Sequence, residues 1–210
     1  MTCARREKMQ KSAFRDPRVV VVLAGPNGSG KSTFYEEYLT ALGLPFVSAD
    51  TIAREMNPAN PAAAAYVAAK AADRRRHNFV KASRSFCMET VFSDQQGDKI
   101  EFLKNAKRRG YTIFLVFICV EDPEMCIARV YQRVEEGGHD VPDDKIRERF
   151  SRSLNNLRAA IGIVDKLYLF DNSSFDTPYR HLANFEQGKL VWHARRLPTW
   201  AKIILSGPQE

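Results

Sequence analysis

The feature that most constrains the fold is a six-residue apolar run followed at once by a glycine-rich segment. Val19–Ala24 is apolar at every position, which is typical of a strand whose two faces are both covered by helices. Gly25–Ser32 reads GPNGSGKS and matches the pattern GxxxxGK[ST] in full. A helix is predicted from Lys31 to Leu42 and ends near Gly43. Strand, loop and helix in this order predict a P-loop.

The P-loop residues predict a site for a nucleotide and its metal ion. Backbone N–H groups of such a loop surround phosphates, and the helix N-terminus adds positive potential. Lys31 is predicted to reach the β- and γ-phosphates, and Ser32 to bind Mg²⁺. The predicted cofactors are therefore ATP and Mg²⁺. The residues predicted to bind them are Gly25, Asn27, Gly28, Ser29, Gly30, Lys31, Ser32 and Thr33.

Strand and helix patterns alternate along the rest of the chain and predict a three-layer α/β fold. The sheet is predicted to be mainly parallel and five-stranded, with the last strand at Lys166–Phe170. A hairpin is predicted from Arg180–Phe185 and Lys189–His193, followed by a short helix from Pro198. Residues 1–17 read as a flexible basic tail, which leaves one P-loop kinase-like domain at 18–210.

Composition limits the chemical classes of binding partner but does not identify a single one. The chain has 210 residues and a formal net charge of +7, which favours anionic partners such as nucleotides, sugar phosphates or nucleic acid. The apolar runs, including Ile113–Val120, are too short to span a bilayer, so no membrane association is predicted and the cytoplasm is the expected location. The four cysteines lack the spacing of a zinc site, and Cys87 and Cys119 are expected in buried strands.

Two carboxylates follow predicted strands. Asp50 comes just after the second strand and Glu89 just after the third, at the sheet edge where α/β proteins bind ligands. A kinase needs a carboxylate to accept the proton of the attacking hydroxyl. The structural alternatives are that Asp50 caps a helix at Thr51 and that Glu89 is a surface charge.

Arginines could stabilise charge on a transferred phosphoryl group. Arg129 and Arg133 share one helix face, because they lie four residues apart. Arg147, Arg149 and Arg152 follow on the next helix, although a solvated face is the simpler interpretation for any one of them. His139 could contact substrate or phosphate, or be a surface loop residue. Finally, Arg74–His77 is interpreted as a solvated helix face, with a nucleic-acid patch as the alternative.

In their order and spacing, these motifs resemble the zeta toxin family of P-loop kinases. The resemblance runs from about Val19 to Asp171 and beyond. It is carried by GPNGSGKST, FVSAD, CMETVFS, RVEEGGHDVPDDKIRERFSRSL and LFDNS. It implies ATP-dependent phosphorylation. The best-known members phosphorylate a hydroxyl of UDP-N-acetylglucosamine, which poisons the supply of cell-wall precursors in bacteria, and an antitoxin protein blocks the site.

The resemblance also implies roles for individual residues. Lys31 matches the phosphate-binding lysine, and Asp50 matches the base that takes the proton of the substrate hydroxyl. Glu89 and Thr90 match the pair that holds the substrate. Arg133 and Arg149 match the arginines around the phosphates.

The predicted function is an ATP- and Mg²⁺-dependent kinase of a small-molecule hydroxyl, above all a sugar nucleotide such as UDP-N-acetylglucosamine. An antitoxin is a possible protein partner. One alternative is a polynucleotide 5′-hydroxyl kinase, which ranks second because no basic groove with interleaved aromatic residues is visible. Another is a regulatory ATPase with a protein partner, disfavoured because the apolar run at Thr112–Val120 contains no water-positioning acid.

Overall fold

The computed structural model describes residues 18–135, 138 and 140–206; the predicted tail and His139 lie outside them. The strands are β1 (Val19–Ala24), β2 (Phe46–Val47), β3 (Phe86–Thr90), β4 (Thr112–Cys119), β5 (Lys166–Asp171), β6 (Arg180–Glu186) and β7 (Lys189–His193). The helices are α1 (Lys31–Phe34), α2 (Ala49–Met56), α3 (Pro61–Lys81), α4 (Asp98–Arg108), α5 (Pro123–Glu135), α6 (Asp143–Ala160) and α7 (Thr199–Leu205). Among the described residues, no helix combines the length and apolar character needed to cross a bilayer.

The strands form one mixed sheet in the order β2-β3-β1-β4-β5-β6-β7. The first five strands are parallel to one another, whereas β6 and β7 are antiparallel. The prediction of a five-stranded sheet was therefore wrong in number, although the hairpin itself was predicted. The hairpin extends the sheet because β6 pairs along the free edge of β5.

Apolar side chains cover both faces of the sheet. Alternate residues of β1 belong to two different cores: Val20 and Val22 to the larger one, Val21 and Leu23 to the smaller one. The larger core is closed by helices α2 to α7, and the smaller one by the helical segment that begins with α1. Burial on both faces explains why β1 is apolar at every position.

The helical segment after the P-loop is less regular than predicted. Only α1 is an α-helix; Tyr35–Leu39 is a π turn and Thr40–Leu42 a 3₁₀ turn, closed by Gly43 in the left-handed region. In a π turn each backbone N–H bonds to the carbonyl five residues earlier, so residues five apart lie on roughly the same side of the helical segment. Phe34 and Leu39, both buried in the smaller core, are related in this way.

Asp165 joins three neighbouring elements at the end of the sheet opposite the P-loop. Its Oδ2 accepts a hydrogen bond from the Ile113 backbone N–H at 2.8 Å, and its Oδ1 lies 3.3 Å from the Lys107 ammonium. Gln187 in the hairpin turn donates to Asp165 through its side chain and its backbone, at 2.8 and 2.9 Å. One side chain thus ties β4, α4 and the hairpin to the start of β5.

We expect Asp165→Ala to lower the free energy of unfolding by about 1–3 kcal/mol, because the N–H of buried Ile113 loses its partner. Urea denaturation measures the change. Asp176→Ala, at an exposed loop position, is the control and should change stability little. Equal losses in the two variants would contradict the assigned role of Asp165.

Candidate active site

The predicted order of strand, loop and helix is confirmed, and close contacts with neighbouring elements fix the loop. Gly28 has a φ of +73°, and a Cβ there would lie 2.6 Å from the Cys126 carbonyl oxygen of α5. Gly30 has a φ of +92°, and a Cβ there would lie 2.4 Å from the Asn172 side chain. Only glycine satisfies both the backbone geometry and the space at these positions.

The loop presents polar groups that suit a phosphate. The Lys31 side chain is 7% exposed, and its ammonium donates to the Pro26 carbonyl at 2.9 Å, so it is held against the loop. Within the part of the chain that the structure describes, the buried Ser29 hydroxyl has no hydrogen-bond partner. Buried polar atoms rarely remain unpaired, and an anion in the loop would supply acceptors.

The loop also suits Mg²⁺, provided that phosphate oxygens supply most of the ligands. Ser32 is exposed at the start of α1, where its hydroxyl can bind a cation. The described residues contain no cluster of three or more His, Cys, Asp or Glu side chains that could hold a metal. Mg²⁺ in kinase sites is typically bound by few protein groups together with substrate phosphates and water, so this chain fits that arrangement.

Asn172 and Tyr179, from the segment between β5 and β6, hold the loop through its backbone carbonyls. The Asn172 side chain donates to the Ser29 carbonyl at 3.0 Å, and the Tyr179 hydroxyl donates to the Gly30 carbonyl at 3.0 Å. Sequence reasoning gave neither residue a role. The available signal was the position of Asn172, directly after β5 at the same sheet edge as the loop.

A cleft of about 810 Å³ opens beside the loop and brings the predicted residues together. Within the described part of the chain, all of the predicted site residues line it except Gly25 and Ser29, which are buried. The parallel register explains the convergence: Ala24, the last residue of β1, is paired with Thr90 of β3. The predicted residues in the cleft are Asn27, Gly28, Gly30, Lys31, Ser32, Thr33, Asp50, Glu89, Thr90, Arg133 and Arg149.

Asp50 is an exposed residue in the first turn of α2. The alternative role as helix cap is wrong, because the Ser48 side chain caps this helix by accepting from the Thr51 N–H at 3.4 Å. Glu89 and Thr90 are half-buried and form the last two residues of β3 rather than following it. All three side chains are thus held on regular elements at the wall of the cleft.

Three arginines from α5 and α6 line the cleft. Arg149 of α6 donates to the Asn27 side chain of the P-loop at 3.5 Å, and Arg133 lines the cleft from α5. Arg129 also lines it, donates to the Asn172 carbonyl at 2.7 Å and lies 5.5 Å from the centre of the Phe175 ring. The shared helix face of Arg129 and Arg133 was expected from their spacing, whereas the contact of Arg129 with Asn172 was not predicted from the sequence.

Arg147 and Arg152 of α6, which were also considered from the sequence, do not line the cleft. Arg147 forms an ion pair with Glu124 at 2.8 Å. Arg152 forms one with Glu148 at 3.3 Å and donates to the Ser93 carbonyl at 3.0 Å. A solvated helix face, which was the simpler interpretation, fits Arg147, whereas Arg152 is partly buried and supports the segment after β3.

The segment after β3 is strained and firmly held. Phe92 has a φ of +60° although it is not glycine, a conformation that costs free energy and persists only with external support. Side chains of α6 supply that support. Ser153 donates to the Val91 carbonyl at 2.6 Å, and Asn156 donates to the carbonyls of Phe92 and Asp94 at 3.0 and 3.1 Å.

The interpretation of Arg74–His77 as a solvated helix face was wrong for Arg76. Arg76 is 4% exposed, whereas Arg74 and Arg75 are exposed, and Arg76 lines the cleft. Its position follows the four-residue spacing of the buried side of α3, where Ala68, Ala72 and Val80 are also buried. That spacing was visible in the sequence.

The buried cysteines add no reactive group to the cleft. Cys87 and Cys119 are buried as predicted. Cys126 packs behind the P-loop, and burial raises the pKa of its thiol to about 12. A thiol with that pKa is neutral near pH 7 and is a poor nucleophile, so the charged chemistry of the cleft rests on its carboxylates and cations.

Comparison with known proteins agrees with this geometry. A profile of the AAA domain family matches residues 20–157. An uncharacterized protein of Haemophilus influenzae strain Rd is 32% identical over 130 residues, which are 62% of this chain and 91% of that protein.

Two solved structures have the same fold. A structure of AvrRxo1-ORF1:-ORF2 with ATP is 16% identical, with a TM-score of 0.66 over 99% of this chain and 71% of that one. The PezAT chromosomal toxin-antitoxin system of Streptococcus pneumoniae gives 15% identity and a TM-score of 0.58, over 98% of this chain and 87% of that one. The chain belongs to the AAA domain family and has the α/β fold of P-loop kinases.

Proposed function

We propose that this protein is an ATP- and Mg²⁺-dependent kinase that transfers the γ-phosphate to a hydroxyl of a small molecule, above all a sugar nucleotide such as UDP-N-acetylglucosamine. The observation that carries the proposal is the single cleft that joins the P-loop, the Asp50 carboxylate and the Arg133 and Arg149 side chains. A phosphate-binding loop, a proton acceptor and charge-stabilising cations are the groups that phosphoryl transfer requires.

At the nucleotide end, the loop amides and Lys31 bind the phosphates of ATP. The contact of Arg149 with Asn27 of the loop supports a role for its guanidinium beside the transferred group, and Arg133 would act from the neighbouring helix. Mg²⁺, bound through Ser32, would neutralise charge on the β- and γ-phosphate oxygens. These side chains stabilise the negative charge that spreads over the phosphoryl group during transfer.

In this proposal the adenine base of ATP stacks against the side chains of Arg129 and Phe175. Phe175 is 86% exposed, which is unusual for a phenylalanine, and it lies on the rim of the cleft next to the loop-supporting residue Asn172. Aromatic rings and guanidinium groups both stack on planar bases. A base at this position would cover the exposed ring.

At the acceptor end, Asp50 accepts the proton of the attacking hydroxyl. The acceptor oxygen forms a bond to the γ-phosphorus as the bond between that phosphorus and its bridging oxygen breaks, and ADP leaves. Glu89 and Thr90 hydrogen-bond other groups of the acceptor and orient the hydroxyl. Thr90 is fixed for this purpose, because its hydroxyl accepts from the Phe92 N–H at 3.0 Å.

The structural neighbours support a more specific version of this proposal. One was solved with ATP and the other belongs to a toxin-antitoxin system. Together with the zeta toxin motifs, they support a bacterial toxin kinase of the cytoplasm whose cleft is blocked by an antitoxin protein. The Glu89-Thr90 pair and Asp50 would then be the residues that an antitoxin must cover.

Asp50→Asn is expected to lower phosphoryl transfer roughly 10²- to 10⁴-fold, because the variant loses the proton acceptor. The measurement is transfer of labelled γ-phosphate from ATP to UDP-N-acetylglucosamine, with ATP affinity determined separately by calorimetry. ATP affinity should stay unchanged, since Asp50 lies on α2 and not in the loop. Glu55→Gln, at an exposed position of the same helix, should keep full activity.

Transfer that survives in Asp50→Asn would remove the proposed base. Label that appears only as free phosphate in the wild type would contradict the kinase and favour a regulatory ATPase. Label on nucleic-acid 5′ ends, tested in parallel, would replace the sugar-nucleotide acceptor by a polynucleotide.

Phe175→Ala is expected to weaken ATP binding about three- to tenfold, because one aromatic contact contributes about 0.5–1.5 kcal/mol. Calorimetric titration with ATP and with inorganic triphosphate separates the base from the phosphates, and triphosphate affinity should not change. Tyr66→Ala removes another exposed aromatic side chain, outside the cleft lining, and should leave both affinities intact. A loss shared by ATP and triphosphate would mean that Phe175 does not contact the base.

A further inference from the structure

Arg76 is a buried cation whose hydrogen bonds are incomplete. Its side chain is 5% exposed and its Nη2 donates to Asp73 at 2.8 Å. Among the residues that the structure describes, its Nε–H has no acceptor. An unpaired buried donor of a charged group is costly. The part of the cleft next to Arg76 therefore lacks an acceptor that the folded chain does not supply.

Lys99 brings a second cation to the same part of the cleft. It is the second residue of α4, and its ammonium lies 3.8 Å from Asp73. Burial, followed by the neighbouring Arg76 charge, lowers the pKa of Lys99 although three carboxylates act in the opposite direction. These carboxylates are Asp73, Asp94 and Asp98. The two cations thus repel each other at a partly desolvated position.

Of the three nearby carboxylates, Asp94 and Asp98 form no ion pair with either cation among the described residues. Asp73 is the only one that contacts both cations among the described residues, it also pairs with His77, and its side chain is 47% exposed. Asp94 binds the Lys99 backbone N–H at 3.2 Å rather than its ammonium. Its charge is therefore held by the N-terminus of α4, which favours negative groups.

Arg76 and Lys99 lie on elements next to the residues proposed to bind the acceptor, and not in the P-loop. Arg76 lies on α3 and Lys99 on α4, the helices that precede and follow β3 along the chain. The last residues of β3 are Glu89 and Thr90, which the proposed function assigns to the acceptor. Neither cation contacts the P-loop in any hydrogen bond or ion pair recorded for the described residues.

We propose that Arg76 and Lys99 form a second anion site in the cleft, which binds a phosphate or carboxylate group of the phosphoryl acceptor. Only the assignment of this anion to the phosphoryl acceptor rests on the proposed function, whereas the anion site itself does not. An anion here supplies an acceptor to the Arg76 Nε–H and a charge partner to Lys99. Arginine and lysine are the side chains that bind such groups most strongly.

The site defines a class of substrate. The acceptor carries a hydroxyl for Asp50 and, at the other end, an anionic group for Arg76 and Lys99. Asp94 Oδ1 is buried and lacks a partner in the described part of the chain, and it can accept a further hydroxyl of the same molecule. A polyhydroxylated compound with an anionic group has these features, and the diphosphate of a sugar nucleotide is one such group.

The test is a calorimetric titration of inorganic phosphate, and separately of acetate, into a Lys31→Ala protein, in which the P-loop is disabled as a competing anion site. Further substitution by Arg76→Met or Lys99→Met should raise the dissociation constant about tenfold or more, as expected for loss of a charge-assisted hydrogen bond. Arg75→Met and Lys104→Met, exposed neighbours on the same two helices, should change it little. The tighter of the two probes identifies the anionic group.

Two results would overturn the site: phosphate and acetate binding that vanishes already in Lys31→Ala, or binding that all four further variants retain equally. Thermal melts show whether Arg76→Met is folded. If it is unfolded, the anion site is tested with Lys99→Met and Arg76→Lys instead. Lys99 is partly exposed, and Arg76→Lys keeps a positive charge at the buried position. ATP titration of the wild type is read separately. Absence of ATP binding would refute the proposed kinase but not the anion site.

Discussion

The site depends on close contact between the backbone of the P-loop and the ends of the elements around it. A Cβ at Gly25 would lie 2.0 Å from the Ile118 carbonyl oxygen of β4, and one at Gly28 would meet α5. Asn172, after β5, closes the third side through the Ser29 carbonyl. The shape of the loop is therefore held by contacts with three parts of the chain that are far apart in sequence.

Much of this arrangement could be predicted from sequence because its signals are local. The apolar run of β1 and the glycine-rich loop lie next to each other, and the chain order of strands and helices places Asp50 and Glu89 at one sheet edge. The four-residue spacing of Ala68, Ala72, Arg76 and Val80 could have placed Arg76 on the buried side of α3, but its contacts with Asp73 and its place in the cleft depend on packing. Long-range contacts also decide that the hairpin extends the sheet, since the pairing of β6 with β5 has no sequence motif.

The pattern of support differs between the two ends of the cleft. At the P-loop the close contacts of Gly25 and Gly28 fix the path of the backbone. The other end, which the proposed function assigns to the acceptor, is lined by the side chains of Asp50, Glu89, Arg76 and Lys99 on separate elements, beside a strained turn at Phe92. Such an end can change its specificity by substitution while the phosphate-binding loop is preserved, as expected for a fold that serves many different reactions.

Helix α6 contacts both ends. Arg149 reaches the P-loop, and Ser153, four residues later, holds the segment after β3. Four residues of α-helix rise about 6 Å, so a single rigid element sets the spacing between its contact with the P-loop and its contact with the segment after β3. The relative position of these two walls of the cleft is therefore tied to one helix and not only to the surface loops that flank the cleft.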